Sequence, residues 1–111
     1  MKLLLVSGAL VAAVLLPTSL ALADQTGLAS MHDLRREGGR LCMSDHFHQG
    51  NSSGQRSKKA AMAAAIQSWR SFTDLEYGSD WAHFNRARSK SVSCSGGGSS
   101  WSCSVEARPC R

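Results

Sequence analysis

Ser91–Cys110, SVSCSGGGSSWSCSVEARPC, carries the clearest structural pattern in the chain. A two-residue turn at Gly98-Ser99 suits it, because glycine fits the first central position of a type II′ hairpin turn. Gly97 then faces Ser100, Gly96 faces Trp101, Cys94 faces Cys103 and Val92 faces Val105. The apolar members and both cysteines fall on one face. Ser91, Ser93, Ser95, Ser102, Ser104 and Glu106 fall on the other. A slip of one residue would turn every side chain to the wrong face, so the register is strongly specified. Trp101 is placed to cover the strand glycine opposite it. The segment reads as an antiparallel hairpin with one buried face.

Working outward, Leu41–His48 (LCMSDHFH) alternates in part. Leu41, Met43 and Phe47 share one face, and Cys42, Ser44, His46 and His48 share the other, which is the pattern of a half-buried strand. Asp45 interrupts the apolar side. Four cysteines allow three pairings, and parity selects among them. Cys94 and Cys103 both point inward and lie opposite each other, whereas Cys42 and Cys110 both have the parity of the polar faces. The expected bridges are therefore Cys94–Cys103 and Cys42–Cys110. The second sets the first strand antiparallel to the last, makes the last strand central and gives sheet order 1-3-2. In that register Phe47 faces Val105 and His46 faces Glu106.

Between these strands, Gln49–Arg56 reads as a Gly/Ser/Asn loop. Lys58–Tyr77 reads as a long helix, with Ser57 as its N-cap and Gly78 as its stop. Its core stripe is expected at Met62, Ala65, Ile66, Trp69, Phe72 and Thr73. Ser79–Arg88 reads as a short second helix with Trp81 and Phe84 on one side. The expected fold is α+β, in the order β-α-(short α)-β-β. It has a small three-stranded sheet with one long helix packed on one face, forming a single disulfide-stapled domain over residues 41–111.

Upstream, Lys2, an apolar run from Leu3 to Leu16 and Ala21-Leu22-Ala23 have the order of a secretory signal peptide over residues 1–23. The run is too short to span a bilayer comfortably. Residues 24–40 (DQTGLASMHDLRREGGR) read as a flexible leader, with a short helix allowed over Ser30–Glu37. Of the 111 residues, 88 remain after residue 23, and only ten of them are Leu, Ile, Val or Phe. A core that poor in aliphatics, with three Trp and four Cys, needs covalent help of the kind exported domains use. This size excludes a multidomain protein, a large enzyme and an integral membrane protein. The whole-chain charge of +5 becomes +4 without Lys2; such a balance suits contact with anionic polymers, lipopolysaccharide or nucleic acid, while its plainer reading is solubility.

Three groups of residues carry possible chemistry. Gly54, Arg56, Ser57, Lys58 and Lys59 lie at the start of the long helix. Three cations there oppose the helix macrodipole and would be eased by a bound anion, although no P-loop spacing is present. The alternative is a solvated, flexible loop. His46 and His48, two apart on one strand face, could hold a metal with a third ligand such as Glu106. The alternative is an exposed strand face with a His46–Glu106 contact. Trp81, His83, Phe84, Arg86, Arg88 and Lys90 mix aromatics with cations, as single-strand nucleic-acid surfaces do. A core short of aliphatics needs those aromatics itself, so nucleic acid is the less expected partner. No G-x-S-x-G or H-E-x-x-H motif is present, and no catalytic residue or cofactor is assigned.

Over Leu41–His48, Ala64–Trp69, Glu76–Trp81 and Ser91–Cys110 the chain resembles a group of small exported proteins of Gram-negative bacteria. That resemblance implies export and a shared fold, and it brings no activity and no functional residues. The resulting expectation is a periplasmic or secreted, non-enzymatic binding module for an anionic envelope component or polymer. A metal-binding module is the alternative, and a small hydrolase the third reading.

Overall fold

The structure, a computed structural model, describes residues 28–111. The expected signal peptide and residues 24–27 of the expected leader lie outside the described residues. The chain forms a 3₁₀ turn (Ala29–Met31), strands β1 (Leu34–Glu37), β2 (Arg40–Met43) and β3 (His48–Asn51), and helix α1 (Lys58–Tyr77). A second 3₁₀ turn (Ser79–Trp81) and strands β4 (Arg88–Gly97) and β5 (Ser100–Arg108) complete it. Among the described residues the architecture is α+β, with two small antiparallel sheets, one helix and two disulfides. No described helix is long and apolar enough to cross a membrane.

The C-terminal hairpin has the expected register, with Cys94 opposite Cys103, Gly96 opposite Trp101 and Val92 opposite Val105. Both expected disulfides are present, Cys94–Cys103 and Cys42–Cys110. Helix α1 has the expected bounds. Ser57 Oγ accepts the Ala60 N–H at 3.0 Å, and Gly78 takes a positive φ of 99° at the C-terminal end. The sheet order β3-β5-β4 puts the last strand in the centre.

In the course of the chain, four details differ from the expectation. First, residues 34–40 are not a leader: Leu34–Glu37 and Arg40–Met43 form a hairpin of their own, and the expected helix over Ser30–Glu37 is absent. Gly38 and Gly39 take φ of 55° and 77°, the left-handed pair a tight two-residue hairpin turn requires. Second, the expected first strand is split. Leu41 and Met43 bond to Arg111 and Pro109 in the expected register. Residues 44–47 then loop out, and β3 resumes three residues out of step. Gln49 therefore faces Glu106 and Gly50 faces Val105, in place of His46 and Phe47. Third, an odd shift reverses which residues point inward. His48, expected on the polar face, is buried beneath the helix. Fourth, Ser79–Arg88 is not a second helix. Its 3₁₀ turn places Trp81 with Met43 and Tyr77, while Phe84 packs with the main core.

Gly50 explains how the helix sits. A Cβ there would lie 2.7 Å from Trp69 Cβ and would also collide with the Ala65 carbonyl oxygen and the Trp69 nitrogen. The helix backbone rests directly on β3, and the side chains at that contact are small. The buried row is Ala61, Ala65, Trp69, Thr73 and Tyr77, spaced by four residues. The expected stripe is therefore turned by about one position: Met62 and Ile66 lie half-buried at the margin of the core, and Phe72 is 53% exposed. Trp69 fills the centre, donating Nε1–H to Ala107 O at 3.3 Å and packing edge-on against Phe84.

Cys42 and Cys110, expected on polar faces, are fully buried because the β1–β2 hairpin covers that end of β5. Arg108 is the tie. It is 5% exposed, and its Nη1 donates to Met43 O at 2.6 Å and to Ser44 O. Its Nε lies 3.2 Å from Glu37 Oε2, and its guanidinium stacks over Phe47 at 4.4 Å.

Candidate functional site

The turn expected to bind an anion is more ordered than a flexible loop. Gln55 and Trp101 exchange backbone bonds of 3.0 and 2.7 Å. Ser52 Oγ donates to Ala61 O at 2.6 Å and accepts from the Cys103 N–H at 3.1 Å. Of the expected anion set, Ser57 uses its hydroxyl as the helix cap. Gly54 supplies a turn at φ 63°, and Arg56, Lys58 and Lys59 are exposed.

Lys58 and Lys59 belong to a longer feature. They border an open depression of about 640 Å³ whose floor is Met62, Ala63 and Ile66. Ile66 also lines the next depression, about 520 Å³, together with Arg70, His83, Phe84, Asn85 and Lys90. Arg70 and His83 in turn border a third, reaching Gln67, Ser71, Asp74, Ser79 and Ala82. The first two share Ile66 and the last two share Arg70 and His83, so the three follow one another along the flank of α1, a series called the furrow below. Its floor is apolar at the Lys58 end. Its borders carry four cations, Lys58, Lys59, Arg70 and Lys90, against one carboxylate, Asp74. The Lys90 ammonium lies 5.1 Å from the centre of the Phe84 ring. Arg70 is the border residue that sequence reasoning left out. Lys59, Met62, Ala63, Ile66 and Arg70 share one helix face, and that spacing was the available signal.

The histidines form a separate cluster at the other end of α1. His46 and His48 do not project from one strand face: His46 lies in the bend and His48 in β3. His46 Nδ1 and the Tyr77 hydroxyl share a hydrogen bond of 3.1 Å. His32, which was not singled out from sequence, joins them, its ring 4.1 Å from that of His46 and 5.1 Å from that of Tyr77. Its Nδ1 bonds Leu28 O at 2.6 Å. Thr73 Oγ1 donates to Trp69 O at 2.7 Å, so it accepts from His48 Nδ1–H at 3.3 Å. His48 Nε2 faces Glu76 Oε2 at 3.1 Å. Both ring nitrogens thus face acceptors. Burial nevertheless holds His48 below the ordinary histidine value, with Glu76 pulling the other way and His46 and His32 adding to the depression. Burial, and then the Glu76 charge, push the Tyr77 hydroxyl up to about 12. Among the described residues no three His, Cys, Asp or Glu side chains gather as a metal site, and Glu106 bonds Gln49 instead of the histidines.

The remaining aromatic and basic residues disperse. Trp81 is buried beneath the Arg111 guanidinium, and Arg88 donates to Arg86 O and Gly38 O. No family model matches the chain, no curated protein is significantly similar to it, and no solved structure matches it.

Proposed function

We propose that this protein is an exported, non-enzymatic binding module that takes an anionic partner along the furrow beside α1. The observation carrying this reading is the composition of that furrow: borders with Lys58, Lys59, Arg70 and Lys90 against the single carboxylate of Asp74, and a floor that is apolar at the Lys58 end. Concave surfaces with apolar linings and a few placed charges are the usual setting for ligand binding. Export is supported by the leader-like N-terminal sequence, by the resemblance to small exported proteins, and by two disulfides, which persist in oxidising compartments.

The test is a thermal-shift titration with inorganic phosphate and with heparin at low salt. The expected result is a rise in Tm that fades as salt screens the exposed cations. The Lys58→Ala/Lys59→Ala variant should keep the unliganded Tm and weaken binding about tenfold, as loss of roughly 1.4 kcal/mol of charge interaction would. No response to any anion at low salt would end this reading.

A further inference from the structure

We infer that the ligand of the furrow is a single-chain anionic amphiphile, an acyl chain with a carboxylate or phosphate head; this rests on the anionic reading above. The placement of charge and apolar surface carries it. Lys58 and Lys59 stand together at one end, and Arg70 and Lys90 border the middle depression, before the more polar stretch that carries Asp74. From Lys59 to Arg70 is eleven residues, roughly 16 Å at the helical rise. The surface between them is made by Met62, Ala63 and Ile66 and continues onto Phe84.

A polyanion matches cations spaced along its whole length, and laying its polar backbone over this floor would strip its water without replacing those hydrogen bonds. A small inorganic anion would engage one end and leave the floor wet. An amphiphile uses both parts. Its head pairs with the Lys58 and Lys59 ammonium groups, and its chain covers Met62, Ala63 and Ile66. The chain ends against Phe84, where the methylene stems of Arg70 and Lys90 add apolar surface while their charged heads stay in water. The floor is the part of the helix flank that the core leaves half-covered, so the chain completes burial that folding leaves undone.

The experiment is calorimetric titration of the purified, disulfide-intact chain with octanoate, decanoate and dodecanoate, each below micelle formation. Dodecanoate should bind, and each loss of two carbons should weaken binding about fourfold, as methylenes half-buried in an open furrow would. Ile66→Ser should flatten that series, and Lys58→Ala/Lys59→Ala should weaken every member about equally. The series on the unaltered protein stands even if Ile66→Ser fails to fold. Affinity independent of chain length, with phosphate or heparin still bound, overturns the amphiphile and leaves the anionic reading standing. Dodecyl maltoside binding as tightly as dodecanoate overturns the anionic head. Binding to phosphatidylglycerol vesicles but to no free amphiphile overturns the single-molecule ligand in favour of a membrane surface. Silence toward amphiphile, phosphate and heparin alike removes both readings.

Discussion

The two ends of helix α1 are held by different physics. Toward its N-terminal and middle turns, Ala61, Ala65 and Trp69 lie on Gly50, Cys103, Val105 and Ala107 with backbone nearly touching backbone. That contact depends on shape: small residues, one indole and no titrating group. Toward its C-terminal turns, Tyr77, Met43, Trp81 and Ala29 form a smaller apolar cluster surrounded by polar ties. His32, His46, His48 and Glu76 gather there, and nearby Arg108 and the Cys42–Cys110 bridge fasten the β1–β2 hairpin. A chain with ten large aliphatic and phenylalanine side chains after residue 23 has little apolar bulk for a second core, and the one it makes, from Met43, Tyr77, Trp81 and Ala29, is small. It builds one by close fit and secures the rest with hydrogen bonds, ions and a covalent link. Solvent conditions should accordingly discriminate between the two ends.

The disulfides break the comparison most strongly. Cys42–Cys110 closes a separation of 68 residues and Cys94–Cys103 one of only 9. Loop-closure entropy assigns about 4 kcal/mol to the first and about 2.5 kcal/mol to the second. Urea unfolding of the two Cys→Ala double variants should show that ranking. A larger loss from removing Cys94–Cys103 would place the main constraint at the hairpin instead. Next comes Gly50→Ala, which attacks the close-fitting end. Its methyl group meets helix backbone rather than a side chain that can swing away, so a loss of about 3 kcal/mol is expected by chemical denaturation. A loss below about 1 kcal/mol would mean that the helix can lift without consequence.

The smallest effect sharpens the contrast by pH. The His48 pKa is depressed on folding, so the unfolded chain binds more protons as pH falls through the ordinary histidine value of 6.5. Stability from this group is therefore present above 6.5, falls as pH drops through that region, and levels off below the folded pKa. His48→Gln should flatten that part of a Tm-versus-pH curve while Gly50→Ala leaves its shape unchanged. An unaltered curve in His48→Gln would assign the pH response elsewhere.

What could be read in the sequence follows the same division. The β4–β5 register was legible because its two faces differ at every pair, and α1 was legible because Ser57 and Gly78 mark its ends. Parity predicts both disulfide pairings, although Cys42 and Cys110 share a buried environment and not the exposed face that parity implies. Strand β3 (HQGN) carries no strand-forming side chain, and it is a strand because Gly50 seats the helix. That is a tertiary cause with no local trace. The β1–β2 hairpin did leave a signal, Gly38-Gly39, but the charged arms LRRE and RLCM lack the alternation that would have supported it. The bend at residues 44–47 then moved His48 inward, so the histidine cluster could not be assembled from a two-residue spacing. Lys58 and Lys59 stand out in the sequence as cations at a helix N-terminus. The furrow they border depended on knowing which flank of α1 the sheet leaves open.

One consequence lies in the order of assembly. Strand β5, which ends at Arg108, is the middle strand of its sheet, and both neighbours precede it in the chain. Cys42 likewise waits for a partner 68 positions later. A chain delivered N-terminus first therefore emerges with its helix and two strands before it has the strand that joins them. Cys94 reaches Cys42 before Cys110 does. A Cys42–Cys94 cross-link formed before Cys110 is available would have to be exchanged, not merely added to, to reach the two bridges of the fold.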